Sequence, residues 1–291
     1  MKADSEPPRL DLVERAHLKE PGDASHVMYR YEPDPGLAGL VRRFWIPVWS
    51  VPPGEEAAQR VLQYPVCLLV VAHDYARCYG VRTGLSTTTL AGDGWAVGVM
   101  LTPAAGWLVA GGPVAELTDR HVDVQEVLGA AGERLVDRVR TAMTPDPHAA
   151  TAHRAAMAAF DDALRPLLPV DAEGELVDRV VAYVEDDPEV LRVSQVCAAF
   201  DLSERSLQRL VHRRLGLTPK WLIQRRRLQE AAERLRSGGG TVAATAAVLG
   251  YADQAHLVRD FSRVTGTTPG RFAARHATAA DSGADRRDDQ M

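Results

Sequence analysis

Between Tyr29 and Pro103 the apolar residues come in short runs broken by Gly, Pro and Asp. The runs LVRRFWIPVWSV (40–51), RVLQYPVCLLVVA (60–72), ARCYGVRTG (76–84) and GWAVGVMLTP (94–103) are rich in Val, Tyr, Trp, Leu and Thr. Such side chains suit a pleated, half-buried surface, and turn residues at these intervals fit a small β-barrel or sandwich. After Pro103 the period changes. VAELTDR (114–120), VQEVLGAAGERLVDRVRTAM (124–143) and HAATAHRAAMAAFDDALRPLL (148–168) carry apolar residues at helical spacing. The expected first domain, 27–165, is a barrel followed by helices. RPLLPVDAEGE (165–175) combines two prolines, a glycine and three acids, and predicts a linker at 166–174. From 175 to 277 the texture is helical. Residues 1–26 read as a polar tail without an apolar core of signal-peptide length, and 278–291 as a disordered tail. The fold class predicted is α+β in two domains, the second all-α.

The helical half repeats itself after about fifty residues. VSQVCAAFDLSERSLQRLVHRRLGLTP (193–219) and VAATAAVLGYADQAHLVRDFSRVTGTTP (242–269) each give a short apolar helix, a turn, a second helix and a closing G-x-T-P. Ser203 and Asp253 are placed to cap the second helices. Leu207, Leu210 and Val211, and in the other copy Leu257 and Phe261, recur at inward-facing spacing. This is helix-turn-helix anatomy, present at about 193–214 and 242–264. The faces left outside carry Arg205, Gln208, Arg209, His212 and Arg213, with Ser203 at the helix start, and then Gln254, His256, Arg259 and Arg263. Arg matches the O6/N7 edge of guanine and Gln the N6/N7 edge of adenine, so these are side chains for reading a major groove. Between the copies, PKWLIQRRRLQEAAERLRSGGG predicts about eighteen residues of helix from Pro219, roughly 27 Å long. A rod of that length holds two recognition helices about one DNA turn apart.

LSERSLQRLVHRRLGLTP, RRRLQEAAERL and LGYADQAHLVRDFSRVTGTTP together resemble the AraC/XylS-type transcriptional regulators, over about a hundred C-terminal residues. The resemblance implies a cytoplasmic, bacterial, sequence-specific regulator that binds double-stranded DNA and meets the transcription machinery. It also implies base-reading roles for Arg205, Gln208 and Arg209 and for Gln254, His256 and Arg259. Position 255 is Ala, too short for a polar contact. In the run Arg225–Arg226–Arg227, the family pattern implies that Arg227 packs inward against an acid while Arg225 and Arg226 face solvent or phosphate. YRYEPDPGLAGLVRRFWIP, YGVRTG and GVMLTPAAGWLVAG resemble the cupin-like domain that precedes some of these DNA-binding domains. That likeness implies a jelly-roll sensor for a small-molecule effector, or a surface for a homodimer.

The net charge of −5 conceals an asymmetry. Residues 203–275 hold 14 Lys and Arg against 5 Asp and Glu, whereas residues 1–202 hold 18 against 30. A basic segment joined to an acidic remainder points to a polyanion at one end. The three cysteines, Cys67, Cys78 and Cys197, form no CxxC pair, and no apolar run is long enough for a membrane span. Neither a catalytic set nor a metal site is expected: the barrel segment offers only His73, and Cys67 lies in an apolar strand. No cofactor is implied. Trp45, Trp95 and Trp107, with Trp49, either line an apolar ligand cavity or fill the barrel core. The competing reading is a cupin-type enzyme or ligand carrier with a vestigial DNA-binding domain.

Overall fold

The computed structural model describes residues 11–277, so the tail expected at 278–291 lies outside the described residues. Six antiparallel strands form the main sheet: β1 (His26–Tyr31), β2 (Val41–Ser50), β4 (Leu68–Ala72), β5 (Ala76–Tyr79), β7 (Asp93–Leu101) and β8 (His121–Asp123). Their spatial order is β1-β2-β7-β4-β5-β8. β3 (Ala57–Val61) and β6 (Ser86–Leu90) make a separate two-stranded ribbon. Phe44, Ile46, Leu69, Val71, Val97 and Val99 point to one side of the main sheet. There α2 (Pro103–Ala110), α3 (Val124–Leu128), α4 (Ala130–Met143) and α5 (Ala150–Leu164) cover them with Val139, Met143 and Phe160 among others. Trp49, Leu68, Val70, Ala96 and Met100 point to the other side, toward the ribbon and the short helix α1 (Leu12–Ala16). Both faces are covered, so the central strands read as continuous apolar runs rather than alternations.

The helical half comprises α6 (Ala172–Asp186), α7 (Val193–Phe200), α8 (Glu204–Leu215), α9 (Pro219–Arg236), α10 (Val242–Val248) and α11 (Gln254–Thr265), with a further helical segment at 269–277. Ser203 Oγ accepts the Ser206 N–H at the start of α8, and Asp253 accepts the His256 N–H at the start of α11. Asp201 makes the first turn at φ 51°, a left-handed conformation that Asp tolerates better than most residues. Each helix-turn-helix unit has its own core: Leu207, Leu210, Val211 and Leu222 in the first, Leu228, Leu249, Leu257 and Phe261 in the second.

Several sequence expectations are corrected. VAELTDR is not a helix but a single tight turn, Val114–Leu117, and β1, β6 and β8 are strands that the apolar pattern did not mark. Residues 11–26 are not a free tail. α1 packs beside the main sheet, Arg15 pairs with Glu230 and Glu233, and His17 and Leu18 are buried. Nor do 166–174 form a detached linker: Asp171 and Glu173 pair with the buried Arg214, and Glu173 also with Arg213.

The packing of α9 departs furthest from expectation. Residues Arg225 to Gln229 are buried in unbroken succession. At about 100° per residue, five in a row leave no open side. One side belongs to the first domain. Arg225 donates to the carbonyls of Arg82, Thr83 and Gly84 (3.4, 2.7 and 3.1 Å) and stacks on Trp221. Gln229 donates to the Leu62 carbonyl at 2.7 Å and Arg236 to the His17 carbonyl at 2.7 Å. Arg226 turns to Glu230 and the Val190 carbonyl. Arg227 lies on the Tyr251 ring, 3.7 Å from its centre, with no acid partner. Arg227 is inward as expected, but an aromatic face holds it in place of an acid; Arg225 and Arg226, expected to face solvent or phosphate, are interior groups as well. Burial with so little counter-charge draws the Arg225 guanidinium down to about 10.

Arg225→Ala leaves the 82–84 carbonyls without their donor. A loss of about 2 kcal/mol in unfolding free energy is expected, as for hydrogen bonds made by a charged group. Urea denaturation checks it; an unchanged midpoint would show that these contacts contribute nothing net.

Candidate nucleic-acid interface and a cavity

The residues predicted to read DNA separate into two groups. Arg205 and Arg209 are exposed on α8 and make no hydrogen bond or ion pair among the described residues. Gln208 is exposed and donates to Glu204 Oε1 at 3.1 Å, one turn back on the same helix. His212 is exposed in the last turn, and Ser203 is occupied by its capping bond. On α11, Gln254 and Arg259 are exposed with free side chains, while Ala255 offers only a methyl group. His256 packs edge-on against Tyr251 (5.1 Å between centres), with Nε2 3.5 Å from Asp260. Arg263 also pairs with Asp260, at 3.2 Å, but keeps 68 % of its side chain exposed.

Arg213 is the correction in this set. It turns away from the reading face to Glu173 and the ring of Trp107 (5.9 Å). Arg214 lies over the same indole at 4.9 Å. Trp107 therefore serves the domain contact and is not a ligand-cavity residue. The fourteen cations of 203–275 divide in the same way. Eight are engaged with acids, carbonyls or an aromatic ring: Arg213, Arg214, Arg225, Arg226, Arg227, Arg236, Arg263 and Arg275. Arg205, Arg209, Lys220, Arg234, Arg259 and Arg271 are exposed, with head groups that have no partner among the described residues. The basic surplus read from the sequence is largely structural.

A cavity of about 360 Å³ lies between the main sheet and the β3–β6 ribbon, closed off by α1. Trp45 and Trp49 form part of its floor. Trp45 pairs across the sheet with Gly98, and Trp49 with Gly94. A Cβ on Gly98 would stand 2.2 Å from the Trp45 ring, and one on Gly94 2.4 Å from Trp49. The indoles thus lie flat over the two glycines, and the space above them stays open. Trp95, expected with Trp45 to line such a cavity, instead faces the helical side of the sheet. The exposed lining residues His73, Asp74, Thr89 and Ala91 mark a mouth, and the opposite end is closed by the buried Ala16, Gln63, Tyr64 and Met100. Among the described residues no group of three or more His, Cys, Asp or Glu is placed to hold a metal. Burial pushes the Cys67 and Cys78 thiols up, Cys78 to about 12, which suits packing rather than nucleophilic chemistry. The sequence did not single out His17, Gln63 or Tyr64, because nothing local announces that the polar start of the chain folds back over the barrel.

A family model described as a helix-turn-helix domain matches residues 196–275. Residues 196–275 form an AraC-type helix-turn-helix domain. A second family model, described as a domain of unknown function, matches residues 29–123. The uncharacterized HTH-type transcriptional regulator YfiF of Bacillus subtilis (strain 168) is 28% identical over 105 residues, covering 36% of this chain and 33% of that protein. The chain thus spans about a third of that relative. Among solved structures, an apo ToxT variant from Vibrio cholerae aligns over 84% of this chain and 99% of its own at 8% identity, with a TM-score of 0.43. Wild-type ToxT bound to an unsaturated fatty acid aligns over 86% and 95% at 9% identity, with a TM-score of 0.37. No helix among the described residues is long and apolar enough to cross a membrane. Of the residues expected to read DNA, Arg205, Arg209, Gln254 and Arg259 are exposed and have no side-chain partner among the described residues.

Two predictions follow from this geometry. Arg209→Ala should relax preference at one base pair by about 1–3 kcal/mol, while Arg213→Ala should leave base preference unchanged. Binding of each variant to single-base variants of the preferred site decides, and a preference altered by Arg213→Ala would reverse the assignment.

The other concerns His17, whose imidazole burial draws down to about 4 from 6.5. Between those values the unfolded chain binds the proton more readily, so stability falls as pH drops through that window, by about 3 kcal/mol when complete. Asp178 contributes with the opposite sign, since burial raises its carboxyl from 3.8 to about 6. Comparison with His17→Gln isolates the histidine: wild type should lose about 3 kcal/mol more than the variant between pH 7 and 4. Parallel urea-derived profiles would contradict a neutral, buried His17.

Proposed function

We propose that this protein is a sequence-specific transcriptional regulator that reads two successive major-groove segments of duplex DNA. In this reading the N-terminal cavity takes a small effector that controls the DNA-binding helices. The observation that carries it is the pair of capped recognition helices, each presenting unengaged Arg or Gln side chains outward while its apolar face is buried. Such groups suit base edges and phosphates and lack the nucleophile–base geometry of catalysis. The chain acts as a regulator, not as an enzyme.

Control by an effector is supported by shared walls. Residues 13–17 and 59–64 border the cavity, and the same segments hold α9 through the carbonyls of His17 and Leu62 and through Arg15. A ligand that shifts either segment moves a contact of the helix joining the two helix-turn-helix units. DNA-bound protein would work in the bacterial cytoplasm alongside the transcription machinery, with the N-terminal domain as the surface for any second copy.

Selection of bound duplexes from a random pool tests the reading with the full chain. It should enrich a site with two conserved elements about 10 bp apart. Enrichment of a single short element would remove the two-segment model, and none would remove DNA reading. The salt dependence is bounded as well. With six free cations in 203–275, the slope of log K against log salt should be no steeper than about −5. A slope near −12 would mean that the engaged arginines also meet phosphate.

A further inference from the structure

The charge and the depth of the cavity narrow what it can hold. Its volume, about 360 Å³, lies at the small-molecule end of ligand pockets. Its lining includes no Lys and no Arg. Two of its histidines offer no positive charge at neutral pH. Gln59 gives its amide N–H groups to Asp23 and Ser25, so its Oε1 faces His17 Nε2 at 2.8 Å, and a neutral imidazole donates there. Burial holds both His17 and His26 below the usual imidazole range. An anion among these walls would be desolvated with no counter-charge. A cation fares no better. The one carboxylate in the lining, Asp74, belongs to the mouth, with 63 % of its side chain exposed and His73 at 3.7 Å. Arg77, which is not part of the lining, already lies over the ring of Tyr75, 4.7 Å from its centre, and repels a second cation at that wall.

The walls are set for a flat body. Along the cavity side of β7 the residues run Gly94, Ala96, Gly98 and Met100, three of them small. The indole of Trp45 covers Gly98, with three ring atoms 2.2 to 2.6 Å from where a Cβ would stand, and that of Trp49 covers Gly94. Three ring atoms at nearly one distance mean that the face of Trp45, not its edge, meets the strand. Opposite, the ribbon contributes Val61 and Leu90. Sheets packed face to face stand about 10 Å apart, and carbon layers in contact about 3.5 Å apart. An indole lying on one sheet therefore leaves depth for one further flat ring. Offset stacking on the upper faces of the indoles favours an aromatic layer there over a saturated one.

We propose that the cavity binds an uncharged, planar aromatic molecule as a single layer between the indoles of Trp45 and Trp49 and the β3–β6 ribbon. The proposal rests on the reading of this cavity as a small-molecule site and adds the class of molecule. A two-ring aromatic alcohol is flat, neutral and small enough. Its carboxylate and ammonium analogues keep the rings but bring an unpaired charge. Its fully saturated analogue keeps the carbon skeleton but is too thick for one layer.

Matched probes make this testable on the full-length protein. Isothermal titration at neutral pH would compare naphthalene methanol with naphthoate, with naphthylmethyl ammonium and with the saturated decahydronaphthalene methanol. The aromatic alcohol is expected to bind once per chain, at least tenfold tighter than each of the others. Gly98→Val forces Trp45 off the strand into the cavity and should remove binding of all four. Trp45→Ala takes away a floor ring; it should weaken the aromatic alcohol about tenfold and abolish its advantage over the saturated one. That variant carries the test if circular dichroism shows Gly98→Val unfolded. A charged or saturated probe that binds as tightly as the aromatic alcohol, and is weakened by Trp45→Ala, would overturn the ligand class while leaving the cavity as the effector site. Binding of the aromatic alcohol that leaves DNA affinity unchanged would uphold the class and remove effector control. Binding indifferent to both substitutions would place the site elsewhere and overturn both readings. No binding by any probe at millimolar concentration would also overturn the proposal.

Discussion

The structure depends on one helix having no free side. Along α9 the residues from Arg225 to Gln229 are buried one after another, so the helix has a partner in every direction: the first helix-turn-helix core, the second, and the N-terminal domain. Three successive arginines inside such a packing would ordinarily be prohibitive, because an unpaired buried charge is costly. Each is accommodated by a different device. Arg225 finds a ring of backbone carbonyls, Arg226 a carboxylate and a carbonyl, and Arg227 the face of a tyrosine. Only the first lies across the domain boundary. The run RRR is thus a three-way joint, and the relative placement of the two recognition helices follows from how that joint is seated.

The cavity belongs to the same arrangement. Glycines at 94 and 98 let two indoles lie down across β7, which opens space that a larger residue would fill. The segment leaving β3, with Leu62, Gln63 and Tyr64, turns one carbonyl to Gln229 of α9 and borders the cavity with Gln63 and Tyr64. Opposite it, the chain from α1 to His17 does likewise. Cavity wall and helix seat are one piece of backbone, a few residues thick. Packed elements of this kind switch between discrete arrangements rather than deforming smoothly. Under the proposed regulation, an effector would act by preferring one seating of α9 over another.

The helix-turn-helix half was legible because its determinants are local. The caps Ser203 and Asp253, the left-handed Asp201 and the inward leucines all act within a few residues of where they stand. The central strands β2, β4 and β7 were legible from apolar runs, since both their faces are covered. Long-range contacts left no local signature. Nothing near Arg213 announces Glu173, forty residues earlier, or the indole of Trp107. Nothing in STTTL marks a strand that pairs only with β3, with most of its residues facing water. Charge counting misled for the same reason: a sum over 203–275 cannot tell an arginine that meets solvent from one sewn into a domain contact.

The two recognition helices are consequently not equivalent. In α8 the exposed candidates Arg205, Gln208 and Arg209 occupy the first half, and the second half is clamped. Arg213 and Arg214 lie on Trp107, and the Thr118 hydroxyl donates to the Gly216 carbonyl at 3.3 Å. Arg209 and Arg213 are four residues apart, about 6 Å along a rigid helix. Any displacement of the N-terminal domain at Trp107 is therefore delivered to the reading face of α8 almost undiminished. α11 carries no such clamp. The N-terminal domain reaches the second unit through Leu18 and Leu62 in its core and through Glu20 and the Lys19 carbonyl at the 269–277 helix, beyond the recognition helix. The N-terminal domain thus holds the first unit beside its recognition helix, and the second through the core beneath it. If the two helices read DNA as proposed, contacts of different kinds set their spacing: a cation–indole clamp for the first and a shared apolar core for the second.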